Sequence, residues 1–126
     1  AIKQIHEKFK ENIALVGINS NDSVEYPDDS FENMKKTAEA KGFTFLFLRD
    51  DTQEVAKAYG AECTPHVFLL DKEHKVVYQG GVDDKWDDPS AVEHHYLRDS
   101  IQEVLDGKPV SNPNPHVIGC SIKWLE

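Results

Sequence analysis

Apolar and polar positions along the chain fall into blocks that predict helices and strands in turn. Ile2, Ile5 and Phe9 lie at i, i+3 and i+7, which is one stripe of a short helix. Residues 13–18 (IALVGI) and 43–48 (FTFLFL) are continuous apolar runs, typical of strands that are covered on both faces in a parallel sheet. The first third of the chain therefore predicts helices alternating with buried strands.

Capping signals predict three further helices. An acidic residue follows a potential cap by three positions in three places: Asp29 with Glu32, Asp51 with Glu54, and Ser90 with Glu93. Gly42, Gly60 and Gly107 are placed to end these helices. Phe31 and Met34 lie on the predicted inward stripe of the first of the three.

Two apolar runs near the middle of the chain predict a hairpin. Residues 66–71 (HVFLLD) and 75–81 (KVVYQGG) are joined by only three polar residues, so these strands must be antiparallel. The resulting order predicts an α/β fold with a mixed sheet, helices on both faces and a C-terminal antiparallel hairpin. Residues 1–107 are assigned to the domain, and the proline-bearing residues 108–126 to a C-terminal tail.

The net charge and the hydropathy of the chain oppose two classes of partner, nucleic acids and membranes. The 126 residues carry 14 Lys and Arg against 23 Asp and Glu, a formal charge of −9, which opposes binding to nucleic acid or to an anionic membrane. No apolar run approaches the roughly 20 residues of a membrane span. The first ten residues show no basic cap followed by an apolar stretch, so no signal peptide is visible. A cytoplasmic location is favoured, although the compartment stays open.

The stretch YGAECTPHVFLLD is the most informative. Thr64-Pro65 leads directly into a predicted buried strand, and a proline there must stand at the strand's start because it cannot donate to the ladder. Position alone favours a trans peptide bond, because only about 5 % of X-Pro bonds in folded proteins are cis.

The series from INSND through DDTQEVAKAYGAECTPHVFLLDKEHKVVYQGGVDD to GCSIKW resembles the redoxin branch of the thioredoxin-like superfamily, the peroxiredoxin-like thiol proteins. The resemblance covers nearly the whole chain. It implies a thioredoxin-like fold and thiol–disulfide or peroxide-reducing chemistry without a cofactor. The implied partners are a thiol or disulfide protein, or a peroxide, and an external dithiol reductant. It further implies a cis Thr64–Pro65 bond, with both residues lining the substrate groove and the Thr64 backbone pairing with the substrate.

One departure from the family is equally important. Proteins of this family carry a reactive C-x-x-C-P between the first strand and the first helix, and AIKQIHEKF resembles the helix that follows it. The dithiol and the preceding strand are absent from this sequence, so we expect it to be a fragment. The alternatives are that strands 13–18 and 66–71 pair directly or that a second chain fills the gap, which leaves a homodimer open.

Two cysteines, Cys63 and Cys120, are the candidate catalytic thiols. By resemblance Cys63 lies beside the redox centre, where it is either a resolving thiol or a small packed residue. Cys120 is either an unpaired thiol docked by Ile118, Ile122 and Trp124, which is favoured, or half of a disulfide with Cys63. A non-catalytic binding module that has lost the dithiol is the alternative function.

Metal binding is the contrasting hypothesis. A zinc site could draw on two cysteines and four histidines: Cys63, His66, His94, His95, His116 and Cys120. A calcium site could use four carboxylates around Trp86: Asp83, Asp84, Asp87 and Asp88. A lone C-x-x-H is common by chance and the acidic loop lacks the EF-hand pattern, so the sequence favours no metal and a solvated loop.

Overall fold

The computed structural model describes residues 2–85, 89–115 and 120–125. The helices are α1 (Ile2–Phe9), α2 (Phe31–Lys41), α3 (Glu54–Tyr59) and α4 (Tyr96–Leu105), with short 3-10 helices at Pro27–Asp29 and Pro89–Ala91. The strands are β1 (Val16–Asn19), β2 (Leu46–Arg49), β3 (Cys63–Thr64), β4 (Val67–Leu70), β5 (Val76–Gly80) and β6 (Cys120–Ser121). This order confirms the predicted alternation and adds the short strands β3 and β6. Within these ranges no helix has the length and apolar character needed to cross a membrane.

The described strands pair in three two-stranded sheets. β1 and β2 are parallel, as predicted. β4 and β5 form the predicted antiparallel hairpin, with an irregularity between Leu69 and Leu70. β3 and β6 form a third, antiparallel pair. The described strands thus include both pairing types of a mixed sheet, distributed over separate ladders.

The chain divides into two compact units. The first unit contains Ala1–Ile5 and Glu62–Ser121, and the second contains His6–Ala61 and Ile122–Glu126. The predicted division into a domain (residues 1–107) and a C-terminal tail (residues 108–126) stays a prediction.

The core of the first unit contains the hairpin and α4. Tyr78 is fully buried, and its hydroxyl donates to the carbonyl of Gly81. Leu97 and Ile101 on α4 are 4 % and 1 % exposed, as their helical spacing predicts. The predicted start of this helix near Ser90 is wrong, because residues 89–91 form a separate 3-10 turn and α4 begins at Tyr96.

The β1–β2 sheet of the second unit corrects another prediction. Four aliphatic residues on one face remain exposed by 45 to 63 %: Val16, Ile18, Leu46 and Leu48. A Cβ on Gly17, on the other face, would lie 3.1 Å from the rings of Phe45 and Phe47. The runs were predicted to be buried on both sides, whereas the two-stranded sheet is packed on one face.

The predicted helix caps of the second unit are displaced by one residue. Ser30, rather than Asp29, caps α2, and its Oγ accepts the Asn33 amide at 3.2 Å. Asp50, rather than Asp51, accepts the amides of the first turn of α3. In each case the predicted cap, Asp29 or Asp51, is the direct neighbour of the residue that accepts the amides. The local direction of the backbone decides which of the two side chains faces the free amides of the helix.

Candidate functional site

The candidate site lies in the first unit, where β3 ends at Thr64 and β4 begins at Val67. The Thr64–Pro65 peptide bond is cis, which confirms the expectation from the family resemblance and not the one from position alone. Pro65 is exposed, and Thr64 and Cys63 are half-buried. These three residues therefore form an accessible extended segment at the entry to a packed strand.

The edge of β3 is occupied by β6. The register pairs Thr64 with Cys120 and Cys63 with Ser121. Two residues that face each other in an antiparallel ladder follow one of two patterns. Either they exchange two backbone hydrogen bonds with each other, or the bonds on each side of them are made by their neighbours in the two strands. The second pattern at Thr64 would require an N–H on Pro65, which proline lacks. Thr64 and Cys120 therefore form the hydrogen-bonded pair, and the Thr64 hydroxyl also donates to the Cys120 carbonyl at 3.4 Å.

The register also decides how the two cysteines are related. Directly paired residues share a face of a ladder and successive residues alternate, so Cys120 shares a face with Thr64, and Cys63 with Ser121. The two thiols thus point to opposite faces, which opposes a disulfide. Both cysteines are free in the structure, in agreement with the favoured interpretation of Cys120 as an unpaired thiol. Ile118, one of its three expected docking residues, lies outside the described residues.

Cys63 lies in surroundings that keep its thiol protonated. Burial raises the pKa of Cys63, and the nearby Glu62 and Cys120 raise this pKa further. Its Sγ is 3.8 Å from the Pro65 carbonyl oxygen, a contact suited to an S–H donor. Since the thiolate is the reactive form, this environment fits a packed or resolving thiol better than an attacking nucleophile.

His66 is the site residue whose role the sequence did not indicate. Its Nδ1 accepts the backbone amide of Glu62 at 3.1 Å, which closes a loop around β3. The ring stacks on Phe68 with centroids 4.5 Å apart. Burial lowers the pKa of His66, and the charge of Glu62 offsets this only in part. From the sequence, His66 was considered only as a possible zinc ligand, although its position directly after Pro65 was the available signal.

The described residues do not assemble the zinc ligands that were considered as the contrasting hypothesis. His66 uses Nδ1 as a hydrogen-bond acceptor, and His116 lies outside these residues. In the described part of the chain, the one group of three possible ligands within 4.8 Å is Asp84, Glu93 and His94. Of the acidic loop, Trp86, Asp87 and Asp88 are also outside the described residues. Asp84 Oδ1 accepts the Glu93 amide at 3.0 Å, a contact that agrees with an ordinary loop.

The second unit contains a buried polar residue that the sequence analysis missed. Gln53 is fully buried in a left-handed conformation with φ 64°. Its Nε2 donates to the carbonyls of Ser20 at 2.7 Å and Lys123 at 2.9 Å, and its Oε1 accepts the Leu125 amide at 2.9 Å. We call these four residues the Gln53 clamp. Nothing in the local sequence distinguishes Gln53 from a solvated residue at the start of a helix.

Comparison with known proteins identifies similar chains. The family model for Redoxin matches residues 1–95. The crystal structure of an uncharacterized conserved protein from Geobacillus kaustophilus has a TM-score of 0.90 and 42 % identity, covering 98 % of this chain and 66 % of that one. A hypothetical protein from Sinorhizobium meliloti 1021 has a TM-score of 0.88 and 38 % identity, covering 98 % of this chain and 69 % of that one. No curated protein matches this sequence.

Proposed function

The chain belongs to the redoxin family and has an α/β thioredoxin-like fold, and on this premise we propose that it forms the substrate-binding part of a thiol–disulfide oxidoreductase or thiol peroxidase. The proposed substrate is a thiol or disulfide protein, or a peroxide, and an external dithiol supplies the electrons. The chain spans 66 % of the length of one similar solved chain and 69 % of another. The activity is therefore proposed for a longer protein that contains it.

The observation that carries this proposal is the backbone of Thr64, which holds an extended segment directly before Pro65. A backbone that binds a strand in this way recognises polypeptides through main-chain hydrogen bonds, with little demand on side chains. Pro65 is exposed next to it and is available to contact the bound segment. Thr64 and Pro65 are accordingly assigned to substrate binding.

The chemistry requires a thiolate, and the two thiols of this sequence are poorly suited to supply it. A cysteine at a helix N-terminus is activated by free amides and the helix dipole, which lower its pKa from about 8.5. Cys63 and Cys120 both lie on strands, and burial raises the pKa of Cys63. We therefore assign the attacking thiolate to a residue outside these 126 residues, with Cys63 or Cys120 as an accessory thiol.

The proposed reaction with a disulfide substrate is a thiol–disulfide exchange. The thiolate attacks one sulfur of a substrate disulfide, forming a mixed disulfide and releasing the other sulfur as a thiolate. A second thiol of the enzyme then displaces the substrate sulfur and leaves an enzyme disulfide, which the external dithiol reduces. With a peroxide, the first attack gives a sulfenic acid and an alcohol or water, and the second thiol condenses with the sulfenic acid and releases water.

The test compares the 126-residue chain with a longer protein extended upstream of Ala1. Reduction of insulin disulfides and of hydrogen peroxide is measured for both. We expect turnover only by the longer protein, and its loss when a cysteine of the upstream segment is replaced by serine. A matched pair, Cys63→Ser and Cys120→Ser in the longer protein, identifies the accessory thiol as the one whose replacement slows resolution.

A non-catalytic binding module is the second candidate function. It is supported by the protonated state of Cys63 and by the position of both thiols on strands. This candidate predicts no turnover by either form in the same assays, together with retained binding of extended peptides. Turnover by the longer protein would contradict it.

A further inference from the structure

We propose that β6 is an internal ligand: the C-terminal segment occupies the substrate-binding edge of β3 and must leave before a substrate can bind. The competing partner is an extended polypeptide whose cysteine takes the position of Cys120, opposite Thr64. The identity of this partner rests on the proposed function. The competition itself rests on the β3–β6 register alone.

Competition follows from the number of backbone groups available. Thr64 has a single N–H and, because Pro65 has none, no further backbone donor follows until His66. The hydrogen-bonded pair with Cys120 uses the N–H and the C=O of Thr64 together. The Thr64 hydroxyl donates to the same Cys120 carbonyl. An incoming strand that uses this edge therefore has to displace Cys120.

The occupying segment is weakly held at this point. Within the described residues the β3–β6 ladder contains two residue pairs, and the side chains of both Cys120 and Ser121 are exposed. By contrast, the β4–β5 hairpin of the same unit has four paired positions and includes the fully buried Tyr78. A short ladder with solvent-exposed side chains opens at a low free-energy cost, whereas a ladder packed in a core does not.

The register indicates what the partner presents. Cys120 is the residue opposite Thr64, so the segment already bound at this edge offers a thiol at that position. Its side chain is exposed, and nothing in the described ladder requires a larger or charged group there. A small thiol-bearing residue on an extended segment therefore fits the position, with specificity left to residues further along the strand.

The experiment measures binding of a fluorescein-labelled peptide with the sequence of residues 115–125, its cysteine replaced by alanine, by fluorescence anisotropy. The protein is the full chain, or Cys120→Pro, or Cys120→Ala. Cys120→Pro removes the amide that bonds Thr64, while Cys120→Ala removes only the thiol and is the matched control. We expect Cys120→Pro to bind about tenfold more tightly than the full chain and the control, a difference of roughly 1.4 kcal/mol.

Equal affinities for the three proteins, or no binding to any of them, would overturn the proposal. A second measurement covers the case in which Cys120→Pro does not fold. In the full chain, the amides of Thr64 and Cys120 are expected to exchange with deuterium by local opening, at rates that do not change in low urea and exceed those of β4–β5. Exchange only through global unfolding would also overturn it.

These outcomes are separate from those of the proposed function. A longer protein without reductase activity leaves the peptide competition unaffected, and the partner is then a ligand and not a substrate. Conversely, full reductase activity with no effect of Cys120→Pro on peptide binding retains the proposed function and contradicts the internal-ligand proposal.

Discussion

The C-terminal residues are held in two different ways, one in each unit. In the second unit, the fully buried Gln53 makes three hydrogen bonds, two of them with Lys123 and Leu125. In the first unit, Cys120 and Ser121 are exposed and pair with only two residues of β3. We expect the buried Gln53 clamp to stay closed in the folded chain, whereas the exposed β3–β6 ladder can open and exchange its partner.

The two attachments differ in how much free energy is lost when their hydrogen bonds break. A buried amide whose partners are removed leaves unsatisfied groups, each costing about 1–3 kcal/mol. Exposed backbone groups that lose a partner are rehydrated, so their net contribution is about 1 kcal/mol or less. A segment with a firm attachment and a weak one can open locally without unfolding the chain.

The largest expected effect is that of breaking the Gln53 clamp. Gln53→Leu roughly keeps the side-chain volume but leaves the carbonyl of Ser20 and the amide of Leu125 without this partner, whereas the Lys123 carbonyl keeps the amide of Asp22. We expect the free energy of unfolding to fall by about 3 kcal/mol, measured by urea denaturation. The control Gln102→Leu, on the exposed face of α4, is expected to change it by less than about 0.5 kcal/mol. Equal losses for the two variants would show that Gln53 is not a clamp.

A smaller effect is expected at Asp50, in the same unit. Burial by itself would raise the pKa of Asp50, but hydrogen bonds from Ser20, Ala56 and Val55 and the charge of Arg49 outweigh it and hold the pKa below 3.8. Its carboxylate therefore stabilises the folded state above pH 3.8, and this contribution is lost as the pH falls below that value. Asp50→Ala is expected to cost about 1–2 kcal/mol at pH 7 in urea denaturation.

Asp51→Ala is the matched control for Asp50. The Asp51 side chain is 75 % exposed and contacts Arg49, whose side chain is 7 % exposed, at 2.7 Å. Without Asp51, Arg49 still donates to the carbonyls of Asn19 and Asn21, so its guanidinium keeps hydrogen-bond partners. We expect less than about 0.5 kcal/mol and an unchanged acid limb of the stability curve. If Asp51→Ala cost as much as Asp50→Ala, the cap predicted from the sequence would be the correct one.

Acidification is expected to affect the surroundings of β3 before it affects Asp50. The pKa of His66 is lowered from its ordinary value of 6.5, so neutral His66 contributes stability above pH 6.5 that is lost as the pH falls further. Protonation of Nδ1 removes the acceptor of the Glu62 amide. His66→Gln should lessen the decline in unfolding free energy between pH 7 and pH 5.

The comparison uses His74→Gln as its reference, because His74 is exposed on the hairpin turn. An equal reduction of the decline by both variants would show that the effect does not come from the contact between His66 and the Glu62 amide. A parent chain whose stability is constant from pH 7 to pH 5 would contradict the role given to His66.

The smallest expected effect on stability is at the cysteines, where reactivity is the informative measurement. Cys120 is exposed, whereas Cys63 is half-buried and its pKa is raised. We expect Cys120 to react with iodoacetamide about tenfold faster than Cys63 at pH 7.5, by mass spectrometry of timed samples. Cys120→Ser and Cys63→Ser assign the two rates. Faster reaction of Cys63 would mean that its surroundings activate the thiol.

Local patterns predicted several elements correctly because their causes are local. The stripe of Ile5 and Phe9 predicted α1, and the three-residue connection between two apolar runs predicted the β4–β5 hairpin. Gly42 adopts a left-handed conformation with φ 65° at the end of α2, as expected of a helix-ending glycine. The cis bond before Pro65 was predicted only through the family resemblance, since proline at a strand start is compatible with both isomers.

The sequence alone was sufficient for the family, for the order of the main helices and strands, and for the position of Thr64 and Pro65 directly ahead of strand β4. The pairing of Cys120 with Thr64 and the hydrogen bonds of Gln53 with Lys123 and Leu125 come from the fold, because these partners lie 56 to 72 positions apart in the chain. Periodicity and capping report interactions within a few residues. Pairing of distant backbone groups depends on how the intervening chain folds, and no local pattern encodes it.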